Sequence, residues 1–158
     1  MRTGKRAVGL IVEDSRILIF RRFKEGRKYH AFIGGGIEEG ETPDEAVVRE
    51  MNEELCIDIE DYKLLFKVKT KLDPNYLFGT EKEPERVKKY SPYQYFYLIT
   101  KYDGIPQLGG EEKERSSKDN QYHLEWVSFP EVAKIEDLYP KEAKNMLVEF
   151  IKEGKLNK

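Results

Sequence analysis

The stretch GGIEEGETPDEAVVREMNEELCI, Gly35–Ile57, carries the pattern that decides the fold. Its middle reads as a helix. Thr42 and Glu45 are spaced as a capping box, in which each side chain bonds the other residue's backbone N–H. Pro43 falls at the first helical position, where its missing N–H is no loss. Asp44 and Glu45 suit the positive end of the helix dipole. The pattern predicts a helix from Thr42 to about Leu55.

On a helical wheel Glu53 falls about 60° to one side of Glu50, and Glu54 about 40° to the other. Val47, Val48, Met51 and Leu55 form a separate apolar stripe suited to a sheet. Crowding like charges one turn apart destabilises a helix by roughly 0.2–0.5 kcal/mol per pair. A divalent cation would relieve that repulsion, and oxygen-only donors suit Mg²⁺ or Mn²⁺. A solvated acidic face is the plainer reading, and the helix alone does not choose between the two.

The spacing around it does. Five residues separate Gly35 from Glu41, and seven separate Glu41 from Arg49. Arg49-Glu50-Met51, Glu53-Glu54 and Ile57 follow. This resembles the Nudix box, G-x5-E-x7-R-E-U-x-E-E-x-G-U, where U is bulky and apolar. Every specified position matches except the last glycine, which is Cys56. A cysteine in the left-handed conformation usual just past a helix costs on the order of 1 kcal/mol. Its role is read as structural, ahead of a redox-sensitive thiol.

The resemblance implies an α+β fold, a Nudix-type α/β/α sandwich with a mixed β-sheet between helices. It implies a pyrophosphohydrolase. Such an enzyme cleaves a nucleoside diphosphate linked to another group, by water attack on phosphorus with Mg²⁺ or Mn²⁺ as cofactor. By the same resemblance Glu50 and Glu54 are the first choice of metal ligands, with Glu53 beside them and the Gly35 carbonyl a further donor. Glu41 acts as a ligand or sits just behind the ligands, oriented by a charge-assisted bond from Arg49. The catalytic set is Glu53, Glu50, Arg49 and Glu112. The general base is then either a glutamate of the box or one of the loop residues Glu111, Glu112 and Glu114, with Glu112 preferred. Two other functions fit the scaffold: a nucleotide-sensing or protein-binding domain with little catalysis, and an isomerase.

Upstream of the box, Lys5–Glu13 and Arg16–Arg22 read as a hairpin about an Asp14-Ser15 turn. Phe23–Lys28 reads as a loop, and Tyr29–Ile33 as a short strand running into three glycines. Downstream, Tyr62–Leu72 alternates, with Tyr62, Leu64, Phe66 and Val68 on one face. Residues 73–92 are polar and proline-containing, an expected insertion loop for specificity or a dimer contact. Tyr93–Lys101 reads as a central strand and Gly109–Asn120 as a second polar loop. Gln121–Phe129, with Trp126, reads as a strand and Pro140–Glu153 as an amphipathic helix. Strands, helix, strands, helix suit one α+β domain over residues 1–158.

Other residues carry weaker signals. Arg21, Arg22, Arg27 and Lys28 precede the box and are candidates to grip phosphate; Lys67, Lys69 and Lys71 are either that or a solvated strand face. Tyr93, Tyr95 and Tyr97 share a strand face, as a base-stacking surface or as core. His30 and His123 are candidate bases or ligands, or incidental.

The 158 residues hold 28 Lys+Arg and 30 Asp+Glu, a net charge of −2, which argues against a dedicated nucleic-acid binder. Aromatics at 12% argue against disorder. The one cysteine excludes an intrachain disulfide. With no signal-peptide pattern and apolar runs far below the ~18 residues of a membrane helix, a soluble cytoplasmic protein is expected, as monomer or homodimer. The near-neutral total hides a segregation. Residues 34–57 hold eight acidic groups and one basic, a local net of −7, against +5 elsewhere. A metal-bound, small phosphorylated nucleotide would join the two signs.

Overall fold

The computed structural model describes residues 2–70, 93–110 and 116–156. Its elements, in order, are β1 (Arg2–Glu13), β2 (Arg16–Lys24), β3 (Arg27–Ala31), β4 (Gly34–Glu38), α1 (Pro43–Leu55), β5 (Asp58–Lys69) and β6 (Tyr93–Asp103). After these come β7 (Asn120–Ser128), α2 (Phe129–Lys134), β8 (Leu138–Tyr139) and α3 (Lys141–Lys152).

The strands form one mixed sheet in the order β5-β6-β1-β2-β3-β8, with β4 paired to β1 and β7 to β2. β1 pairs parallel with β6, and β3 with β8; the other pairings are antiparallel. Alternation along the strands splits the core in two. Ala7 and Ile11 of β1, with Tyr97 and Ile99 of β6, pack against α1. Val8, Leu10 and Val12, with Phe96 and Leu98, pack on the opposite face with α2 and α3. This is an α+β sandwich, the fold class expected. The predicted stripe of α3 is in place: Ala143 and Leu147 are buried, and Met146, Phe150 and Ile151 pack beside them. Among the described residues no helix is long and apolar enough to cross a membrane.

Four expectations are corrected. Residues 23–28 are not a loop: β2 and β3 run right up to a two-residue turn at Glu25-Gly26. Both turn residues have positive φ (49° and 78°), the hairpin geometry that matches strand twist. The three glycines are themselves a strand, β4, because they let it lie close on β1. A Cβ on Gly34 would stand 2.1 Å from the Ala7 carbonyl oxygen. β5 does not alternate strictly, since its pairing with β6 shifts register around Asp61 and between Leu64 and Phe66. Tyr62 therefore faces α1, Phe66 and Val68 face the other core, and Leu64 is 51% exposed. The short elements α2 and β8 are additions to the expected order, because neither is long enough to carry a periodic signal. Residues 73–92 lie outside the described residues.

Candidate active site

The capping box forms as its residue types demand. The Glu45 amide donates to Thr42 Oγ1 at 3.1 Å, and the Thr42 amide donates to Glu45 Oε1 at 3.0 Å. α1 buries Ala46, Val47, Glu50, Met51 and Leu55. The predicted stripe is thus shifted: Val48 is 37% exposed, and Ala46 and a glutamate lie on the buried face instead. Asp44 accepts a 2.5 Å bond from the Tyr97 hydroxyl. Burial, then that bond, hold the phenol well above its ordinary pKa.

Glu50 is 3% exposed. Its carboxylate occupies the space beside Gly35, where an added Cβ would meet the carboxyl carbon at 2.3 Å. The exposed side of the same turn is organised by Arg49. Its Nε and Nη2 donate to the two oxygens of Glu41 at 2.8 and 2.9 Å. Nη1 donates to Glu50 at 2.9 Å and to Glu53 at 3.1 Å, and Nη2 also reaches the Gly36 carbonyl at 3.0 Å. Glu41 accepts the Glu38 amide as well, at 3.0 Å. The Arg49 bond holds the Glu41 carboxyl below its usual range and drives the guanidinium still further from deprotonation. One cation thus faces three carboxylates, a local excess of negative charge that invites another cation.

Beyond Glu53 the chain turns. Cys56 caps α1 at φ 59°, ψ 33°, the left-handed geometry expected of the glycine it replaces. The Gly109 and Gln107 amides donate to the carbonyls of Glu54 (2.9 Å) and Leu55 (3.0 Å), so the segment after β6 runs along this end of the helix. Among the described residues no three His, Cys, Asp or Glu side chains converge to hold a metal ion as they stand. Glu50 and Glu53 are instead both drawn to Arg49.

A family model described as the NUDIX domain matches residues 3–149. The chain belongs to the Nudix family. It is 31% identical over 103 residues to the 8-oxo-dGTP diphosphatase of Escherichia coli, covering 63% of this chain and 68% of that one. It is 36% identical over 58 residues to the RNA pyrophosphohydrolase of Photobacterium profundum, covering 37% of this chain and 33% of that one. The solution structure of the E. coli ORF135 protein superposes with a TM-score of 0.68 at 19% identity, covering 96% and 91% of the two chains. The fold is therefore a Nudix fold, and the chain is a Nudix-type pyrophosphohydrolase that acts on a nucleotide pyrophosphate bond.

Within this Nudix fold the box residues Gly35, Glu41, Arg49, Glu50 and Glu53 are brought together, and Glu54 is half-buried one residue on. Glu111, Glu112 and Glu114 lie outside the described residues. The three arginines do not converge. Arg22 lies 3.6 Å over the Tyr122 ring, and its Nε donates to the Gln121 carbonyl at 3.2 Å. Arg22 and Arg27 both stack on Tyr29, at 5.8 and 5.6 Å. Arg21 points to the other sheet face and pairs with Glu125 at 3.7 Å. Tyr97 is buried under α1, not open for stacking, whereas Tyr93 and Tyr95 are half-buried beneath Lys67. His30 is on the face away from α1, and His123 is exposed beside Gln121. Two features carry no signal readable in the sequence: the Arg49 contact with the Gly36 carbonyl and the Tyr97–Asp44 tether. Both depend on long-range register.

Proposed function

We propose that this Nudix enzyme uses the box carboxylates to bind Mg²⁺ or Mn²⁺ and hydrolyses a nucleoside diphosphate linked to another group. The observation that carries the reading is the Glu50 carboxylate, buried in the Gly35 cradle and sharing the Arg49 guanidinium with Glu41 and Glu53. The donors are all oxygen, which fits a hard divalent ion. Glu50, Glu53, Glu54 and the Gly35 carbonyl are the proposed ligands. When bound, the cation neutralises charge on the pyrophosphate and activates water.

The chain's own residues do the rest. Arg49 fixes Glu41 and Glu50 while leaving Glu53, at 48% exposure, the carboxylate of its set most open to solvent. Glu53 is suited to take a proton from the attacking water, with Glu112 the alternative base. Arg22 and Arg27, which both lie over the Tyr29 ring, are the proposed phosphate contacts; Arg21, paired with Glu125 on the other sheet face, is left out of that proposal. The names of the two relatives suggest two substrate classes: an oxidised nucleoside triphosphate and a pyrophosphate-bearing RNA.

A panel of nucleoside triphosphates, oxidised nucleotides, nucleotide sugars, dinucleoside polyphosphates and 5′-triphosphorylated RNA, assayed with Mg²⁺ and Mn²⁺, tests the proposal. Glu53→Gln and Glu54→Gln are expected to lower turnover by orders of magnitude with folding intact. Unchanged turnover in both variants overturns the assigned site. Nucleotide binding without product under either cation overturns the catalytic reading.

A further inference from the structure

β5 is an edge strand. It pairs with β6 on one side, and among the described residues no strand pairs with its other side. An edge strand presents a row of backbone N–H and C=O groups to any strand laid beside it. β5 offers twelve residues of such an edge. Its faces are packed: Ile59 and Tyr62 against the core under α1, Phe66 and Val68 in the opposite core. Leu64, at the middle of the strand, is 51% exposed.

The exposed charges of β5 are sorted by sign. Asp58, Glu60 and Asp61 come first, and Lys63, Lys67 and Lys69 follow. Asp58 accepts a 2.9 Å bond from the Asn52 side chain, and Glu60 lies 3.2 Å from Lys101, yet both carboxylates stay exposed. Lys67 Nζ lies 4.4 Å over the Tyr93 ring and is exposed too.

Lysines on an edge usually keep the strands of neighbouring molecules apart. An edge of lysines alone does so in every orientation. This edge does so only when two copies run parallel, with lysine against lysine and carboxylate against carboxylate. Run antiparallel, the edge is complementary to itself. A two-fold axis through Leu64 lays the Asp58–Asp61 stretch of each copy beside the Lys67–Lys69 stretch of the other, and opposite charges on neighbouring strands stabilise their pairing. The same axis sets Leu64 against its own copy, so the exposed apolar side chain lies at the centre and the charges outside it.

We propose that β5 is a self-association edge, on which a second copy of this chain docks antiparallel about Leu64 and continues the sheet across the dimer. The contact is isologous, as a two-fold requires, and it closes after two copies. It is held partly by exposed charge, so salt weakens it.

Sedimentation velocity of the full chain over a concentration series tests this. Wild type is expected to pass from monomer to dimer as concentration rises, and to do so less readily at about 1 M salt, where screening is nearly complete. An acidic-edge variant (Lys63→Glu, Lys67→Glu, Lys69→Glu) and a basic-edge variant (Asp58→Lys, Glu60→Lys, Asp61→Lys) should each be monomeric alone. Mixed in equal amounts they should dimerise. A wild type that is monomeric throughout overturns the proposal and leaves the edge to a different partner. Dimerisation of either variant alone, or a mixture that stays monomeric, overturns it as well. Should either triple variant fail to fold, Leu64→Asp decides: it should be monomeric, and a dimer as tight as wild type overturns the proposal.

Discussion

The carboxylate of Glu50 lies where a side chain on Gly35 would be. An added Cβ there would sit 2.3 Å from the carboxyl carbon and from Oε2. The glycine is required by the glutamate and not by its own backbone, since Gly35 has no positive φ.

Gly35→Ala should therefore separate activity from stability. What blocks the methyl is the far end of a flexible side chain, which can swing away. The melting temperature is expected to change little. Turnover is expected to fall by at least about a hundredfold, on the order of removing a well-placed charge-stabilising group. Gly34→Ala should damage the fold itself. Its Cβ would meet the Ala7 carbonyl oxygen at 2.1 Å and Val8 Cα at 2.8 Å, both backbone. Thermal melts and a turnover assay on the two variants check the contrast.

Glu41 gives a pH prediction. The Arg49 bond lowers its carboxyl below the ordinary 4.5. A depressed folded-state value means stability that is present above the unfolded value and lost as pH falls through the folded one. Glu41→Gln should cost about 1 kcal/mol at neutral pH. Its deficit against wild type should shrink below about pH 4.5 and vanish in strong acid. Urea midpoints from neutral to acid pH measure this. A deficit that persists in strong acid would show that the pair is not the source.

The helix and its chemistry are readable in the sequence because both are local. The capping box from Thr42 to Glu45 and the charge pattern of Arg49, Glu50, Glu53 and Glu54 depend on neighbours within two turns. Opposite faces for Arg21 and Arg22 follow from strand alternation, which a grouping by charge overlooks. Tyr62 and Phe66 defeat the reading for the opposite reason: alternation does not persist through a strand whose register slips. The Glu50 burial is not legible at all. Wheel geometry puts it among solvated carboxylates, and only the close approach of β4, through Gly35, makes room for it below the surface.

Cys56 offers a stabilising change. It holds φ 59° without the freedom of a glycine, and among the described residues its thiol makes a long contact, 3.9 Å, to the Leu108 carbonyl. Cys56→Gly should raise stability by roughly 0.5–1 kcal/mol, less what the glycine adds to unfolded-chain entropy. Turnover should be unchanged, because among the described residues no site group touches the thiol. Equilibrium denaturation and a steady-state assay test both halves, and a loss of stability would mean the αL strain is relieved in some other way.

Tyr97 and Asp44 tether the first turn of α1 to β6. Tyr97 is 2% exposed and Asp44 is exposed, so the hydroxyl ties a buried ring to a carboxylate at the surface. Tyr97→Phe should cost about 1 kcal/mol, the net worth of an ordinary hydrogen bond, because water can take the place of the lost hydroxyl at the exposed Asp44. The carboxylates of Glu50 and Glu53 are held separately, by Gly35 and Arg49, further along the helix. Turnover in Tyr97→Phe should thus fall far less than in Gly35→Ala although its stability falls more. Measuring both variants side by side distinguishes docking of the helix from shaping of the site. Equal losses of turnover in the two would mean that the first turn of α1 itself sets the carboxylate geometry.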